Sequence, residues 1–404
     1  MTPEDLMERE LSTVVTLLHA EYKAAHELSS MEQIGRVLGR TRLSDYEPSQ
    51  GLRGLERCAD ELLEFRRIMF FRVMMTKPAY ESAKMADVCG KIHAVLAQEN
   101  DPARPEPLPR VDMRRVEQRA FYEQNLLRPR AVMLDHFDFE RDRLGLAELV
   151  RNYGDELQPL LRPTDFTQYE GPLRDVSESG AYLANSDRLL TRHPELIEGL
   201  NAARFQKLAG LSYLSSQLFA GSRFGGSPAH FAVAPNLFYQ VEGSKRWTIV
   251  DPAFSYLTYP VLNPVDGLTA LFWMDDADAE RCPLYRFCPR YEVALQPGDV
   301  LFNPRYWMHS VANLTKESIG VAVRWLEKLA PESQSPCSIF DVARRLSPRS
   351  IEAHIEFSMA IISEDPGAWF EGHVHGRTYR YDPEAIGRSF GVSPAPVGQG
   401  PRLT

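Results

Sequence analysis

The chain has 404 residues, 44% of them hydrophobic, which suits one large domain with appendages or two domains with a sizeable core. A formal net charge of -9 argues against nucleic acid or an anionic membrane surface as the main partner and leaves small molecules or a protein segment. The five cysteines, Cys58, Cys89, Cys282, Cys288 and Cys337, are scattered without Cys-x-x-Cys spacing, which fits free thiols in a reducing compartment rather than a disulfide framework or a zinc site.

The first ten residues are acidic and lack the apolar run of a signal peptide, and the stretch Ile68–Met75 is too short to span a bilayer and is broken by Arg72. The expectation is a soluble, cytoplasmic protein. Residues 1–105 read as a helical N-terminal region, with Leu11, Val14, Val15 and Leu18, then Leu55, Leu62, Phe65 and Met69, at helical spacing. Asn100–Pro109 holds four prolines in ten positions and reads as an extended linker and domain boundary. A helix near Val116–Asn125 and a buried strand at Arg128–Leu134 follow. His136-Phe137-Asp138 has the form of a metal-binding His-x-Asp, but no strand pair follows to return a second histidine, so it reads as a decoy.

A helix is expected at Leu146–Gly154, and Tyr182 falls in a short extended piece. From Leu211 to about Glu327 the pattern turns to β, with runs at 213–219, 237–241, 246–250, 291–295, 300–302 and 319–325 bounded by Gly, Pro and Asp. Beyond Lys328 the apolar faces within 339–362 predict helices, before a Gly/Pro-rich tail. The predicted fold class is α+β: a double-stranded β-helix of cupin or jelly-roll type at 106–330, a helical region at 1–105, and C-terminal helices and tail at 331–404.

His230 opens one strand pair, which turns at Glu242-Gly243-Ser244 into a second strand led by Lys245. His309 closes the later block Gln296–His309. Two neutral imidazoles on neighbouring strands suit Fe, Zn, Cu or Ni. Lys245 is a candidate cation for a buried carboxylate, Tyr182 and Ser227 are candidate hydroxyls, and Arg324 is a second cation. Trp247, Trp307 and Trp325 read as core, with Trp307 placed to touch substrate, and Arg305 and Tyr306 read as pocket rim. His373-Val-His375 reads as surface.

The blocks Ser227-Pro-Ala-His230-Phe-Ala232, Asn236–Arg246 and Pro297–His309 resemble the cupin-type JmjC oxygenases, the group that includes the asparaginyl hydroxylase of hypoxia-inducible factor. The resemblance covers about 110–328. It implies Fe(II) at His230 and His309, 2-oxoglutarate held by Lys245, Tyr182 and Ser227, Asn236 near that cosubstrate, O2 as co-reactant, a small-molecule, amino-acid or peptide substrate, and a homodimer through the C-terminal helices. Two positions depart from the pattern: Ala232 stands in place of the metal-binding Asp, and Arg324 in place of an amide. Three readings stay open. The motif His-x-Ala is similar to that of radical halogenases, in which chloride replaces the carboxylate ligand; Ala232 would then be the halide position, with Arg324 beside it. An ordinary hydroxylase could instead use water or an acid from the Asp275–Asp278 loop, and a non-catalytic cupin could be a binding module.

Overall fold

The computed structural model describes residues 51–326 apart from 63, 66–82, 122–124, 126–128, 163–167, 210, 223–225, 233, 264–266 and 271–281. The predicted C-terminal helices, the acidic segment at 275–280 and His373-Val-His375 lie outside the described residues, as do Cys337 and the part of the predicted N-terminal helical region before residue 51.

The strands in chain order begin with β1 (Glu106–Pro107), β2 (Arg110–Asp112), β3 (Val132–Asp135), β4 (Leu157–Leu161), β5 (Gln168–Pro172) and β6 (Tyr182–Ser186). The barrel proper continues with β7 (Ser212–Ser222), β8 (Gly226–His230), β9 (Asn236–Glu242), β10 (Lys245–Val250), β11 (Pro260–Asn263) and β12 (Gly267–Ala270). It closes with β13 (Tyr291–Leu295), β14 (Val300–Asn303), β15 (Met308–Asn313) and β16 (Glu317–Leu326). They form a seven-stranded sheet in the order β1-β13-β10-β15-β8-β12-β11 and a nine-stranded sheet in the order β2-β3-β14-β9-β16-β7-β6-β4-β5. From β7 to β10 and again from β13 to β16 successive strands alternate between the sheets, which is the jelly-roll arrangement expected from the sequence.

Period-two patterning explains why the two sheets face one another. On β16, Ile319, Val321, Val323 and Trp325 join the outer core of the large sheet, while Ala322 joins the core between the sheets, and Arg324 shares its face. On β10, Trp247 and Ile249 point inward, and Val250 joins an outer core on the small sheet. That outer core is closed by helix α1 (Ala83–Glu99), whose Val88, Ile92 and Leu96 recur at helical spacing against Phe254, Leu257 and Phe287. The large sheet is covered by helix α2 (Leu146–Tyr153) and helix α3 (Ala202–Ala209), with Phe205 packed against Phe121, Phe302 and Trp325 at centroid distances of 5.6, 5.6 and 5.5 Å. Truncating an aromatic so placed costs about 3–5 kcal/mol.

The proline-rich segment is not a free spacer. Glu106 and Pro107 pair with Tyr291 and Glu292, and Arg110–Asp112 pair with Met133–Asp135. Both strands sit at sheet edges, where a proline costs no ladder donor. The hairpin β4–β5 was not expected, because Pro159 and Pro172 mask its alternation. The turn between β9 and β10 lies where the sequence puts it: Gly243 has φ +63, and a Cβ there would collide with the Glu317 carbonyl. Among the described residues no helix is long and apolar enough to cross a membrane.

Candidate functional site

His230 and His309 are directly opposed on the antiparallel strands β8 and β15, with ring centroids 4.4 Å apart. The next opposed pair is Val311 with Ser227, so three steps on β8 match two on β15. Opposed residues share a face, and this bulge therefore turns both Ser227 and His230 toward the interior although an odd number of steps separates them. His309 is buried, and its Nδ1 lies 2.8 Å from the Trp307 carbonyl, to which it donates. That bond leaves Nε2 without a proton, the tautomer a metal requires. The Asn303 amide approaches the same Nδ1 at 3.3 Å, and the indole of Trp247 stacks on the ring at 5.1 Å. Burial first, then His230 and Arg324, hold the His309 pKa far below the usual imidazole range, so the ring is neutral.

Lys245 begins β10 immediately after the turn and is 1% exposed. Its Nζ donates to Asn313 Oδ1 at 2.5 Å, from the residue opposite it on β15. Burial pulls this amine down to about 7, because a neutral amide compensates a desolvated ammonium poorly. Two rungs from Asn313 along β15, Val311 faces Ser227, whose side chain hydrogen-bonds the buried Tyr182 hydroxyl. Tyr182 packs its ring over Gly221 of β7, where any Cβ would strike the ring. Lysine, tyrosine and serine thus gather at one end of the interior.

The opposite wall carries a row the sequence did not announce. Register places Asn303 of β14 against Asn236 of β9, Asn236 against Arg324 of β16, and Arg324 against Ser215 of β7. All four share the inward face. Arg324 donates through Nε to Gln217 Oε1 and through an Nη to Asn185 Oδ1 at 3.4 Å. Asn185 reaches it because the strand is irregular there, with φ 56 at that residue. Asn236 Oδ1, Asn303 Oδ1 and Ser215 Oγ are buried without a hydrogen-bond partner among the described residues. Each such atom costs about 1–3 kcal/mol unless a ligand or water completes it.

Ala232 follows β8, half-buried, and its carbonyl accepts from the Tyr306 amide at 2.9 Å. Phe231 and Tyr306 are both buried, edge to face at 5.5 Å, so this segment is pinned. Tyr306 is therefore part of the outer core and not a pocket rim. Trp307 is fully buried behind Tyr291, 6.2 Å away, and the indole beside the histidines is Trp247. His136-Phe137-Asp138 follows β3 of the large sheet, with Phe137 in the outer core, away from the histidine pair. Among the described residues no group of three or more His, Cys, Asp and Glu is arranged to hold a metal. The two imidazoles fit a metal as a two-ligand set, and the lysine end fits a carboxylate; the carboxylate ligand of a facial triad has no counterpart at Ala232.

A model of the cupin-like domain matches residues 95–328, more than half of the chain. The human HSPB1-associated protein 1 is 29% identical over 171 residues, covering 40% of this chain and 34% of that protein. The mouse tRNA wybutosine-synthesizing protein 5 is 34% identical over 102 residues, 25% of this chain and 30% of its own length, and the chicken protein of the same name is 32% identical over 125 residues. The matches thus span about a third of the length of these relatives. Fold, inward histidine pair and domain match agree, and the chain belongs to the cupin-like domain family of JmjC type.

Proposed function

We propose that this protein is an Fe(II)/2-oxoglutarate-dependent enzyme that functionalises an unactivated C–H bond, with a halide in the ligand position that Ala232 leaves open. The observation that carries this reading is the in-register, inward pairing of His230 and His309 in the same interior as the buried amine of Lys245. Bound together, Fe(II), 2-oxoglutarate and O2 supply the oxidising power for such chemistry. The residues do the rest. His230 and His309 hold the metal through unprotonated ring nitrogens, and the Trp307 carbonyl fixes the tautomer of His309. Lys245 takes the distal carboxylate of 2-oxoglutarate, with Tyr182 and Ser227 as hydroxyl donors. Asn236, inward-facing with its Oδ1 unpartnered among the described residues, lines the other end of the cosubstrate site. Ala232 brings no donor atom, and chloride matches the missing carboxylate in charge, with the positive field of Arg324 close to His309.

The test is an anaerobic titration of chelator-stripped protein with Fe(II) and 2-oxoglutarate, with and without chloride, following the visible charge-transfer band. A band that shifts with chloride is the expected result. A band indifferent to chloride would replace halogenation by hydroxylation, and no band would contradict both.

A further inference from the structure

The cations of the interior stand on opposite walls. Lys245 reaches in from the small sheet beside Asn313, and Arg324 from the large sheet, in register with Asn236 and through it with Asn303, whose amide lies 3.3 Å from His309. On β15, Asn313 and His309 are four residues apart, ~13 Å of strand at ~3.3 Å per residue, so the two long side chains approach from separate ends. The strands β7–β10 and β14–β16, which line this space, contain only two acids, Glu242 and Glu317. The Glu242 carboxylate accepts from the Leu146 amide outside the barrel at 2.7 Å, and Glu317 opens β16 at the end remote from Arg324. The inward face of these strands is therefore cationic.

We infer that the barrel binds a short dicarboxylate through its own two cations, without requiring a metal, Lys245 pairing with one carboxylate and Arg324 with the other. This rests on the reading of the interior as a 2-oxo-acid site and adds who holds the second carboxylate. A carboxylate buried in this space needs a paired charge, and a dianion between one ammonium and one guanidinium is neutral overall. Gln217 and Asn185 orient the guanidinium plane, which suits two parallel N–H bonds to a carboxylate. Beside it in register, Asn236 is 3% exposed and its Oδ1 has no hydrogen-bond partner among the described residues, so a buried polar group stands next to the same carboxylate. Recognition of this kind reads two carboxylates and ignores the ketone between them. The loss of a carboxylate at position 232 and the gain of a cation at 324 act together: the charge that a metal would supply at the histidine end is partly built into the chain.

The experiment is isothermal titration calorimetry of the full chain in excess chelator, with 2-oxoglutarate, glutarate and the monocarboxylate pentanoate as probes. The expected result is binding of 2-oxoglutarate and glutarate within about threefold of each other, pentanoate at least about tenfold weaker, and at least about a tenfold loss for both diacids in Arg324→Asn, the scale of one charge-assisted contact. Pentanoate binding as tightly as glutarate would overturn the assignment of two cations. Binding seen only after Fe(II) is added would overturn the inference and leave the proposed function standing, whereas no binding with or without Fe(II) would overturn both. The wild-type comparison of probes needs no variant, so the folding of Arg324→Asn does not decide the outcome.

Discussion

The two ends of the barrel interior differ in how far the chain satisfies itself. At the lysine end, Lys245 meets Asn313 from the neighbouring strand in register, and Tyr182 meets Ser227 across the two sheets. At the histidine end, the oxygens of Asn236 and Asn303 and the hydroxyl of Ser215 are buried without partners among the described residues, and Ala232, two residues after the first histidine, carries only a methyl group. The lysine end is preorganised for one chemical group, a carboxylate. The histidine end is built around groups that the chain does not provide, and it is there that Ala232 and Arg324 depart from the pattern this family resembles. In the proposed site, the departures leave Lys245, Tyr182 and Ser227 unchanged and alter only the histidine end.

Four changes of residue or condition sharpen or break this contrast. Removing an imidazole has the largest expected effect: His309→Ala lowers Fe(II) affinity by more than ~100-fold, since half of the protein ligand set goes, while the affinity of metal-free protein for glutarate stays within about threefold. Competition with a chromophoric chelator and calorimetry measure the two quantities, and a parallel fall in both would mean the ends are not separable. Lys245→Met is next. Dicarboxylate affinity falls on the order of 100-fold with or without metal, as for the loss of a charge-assisted contact, and a loss confined to the metal-loaded protein would contradict the role given to the lysine.

Ala232→Asp acts in the opposite direction. It raises Fe(II) affinity by about tenfold and abolishes the chloride response of the charge-transfer band, because a carboxylate now occupies the halide position. A persistent chloride shift in that variant would place the halide elsewhere. The smallest effect is that of pH. The Lys245 amine is held at about 7 without ligand, below the ordinary 10.5, so an arriving anion must bring a proton with it above pH 7. Dicarboxylate affinity therefore falls as pH rises above about 7, by at most about tenfold per unit, and Lys245→Met flattens this dependence. The sign for stability is opposite: between pH 7 and 10.5 the unfolded chain binds more protons at this residue, so the ligand-free fold gains stability from Lys245 as pH rises through that window.

Much of the fold was legible because β-branched and aromatic runs with period two mark strands whose two faces meet different cores. The residues 319–325 show this well: their alternation predicted the strand, and the outward set Ile319, Val321, Val323 and Trp325 is the core face. His230, His309 and Lys245 were legible from local context, each at the mouth or turn of a strand pair. Asn303, Gln217, Asn185 and Ser215 were not, since a single polar residue on a strand carries no signal until register sets it beside Arg324 or His309. The β8 bulge that turns Ser227 inward has no sequence signature either. Trp247 and Trp307 are both core, as expected, but chain proximity to His309 misleads: Trp307 lies two residues away, whereas the indole stacked on that ring is Trp247, across the sheet on the same face.

The most direct test of the enzymatic reading is the conversion of 2-oxoglutarate to succinate by Fe(II)-loaded protein under O2, quantified against the His309→Ala and Lys245→Met variants. The account predicts slow succinate formation by the wild-type chain, dependent on Fe(II) and lost in both variants. No succinate from a wild-type protein that binds 2-oxoglutarate under the same conditions would contradict it and leave a dicarboxylate-binding cupin in its place.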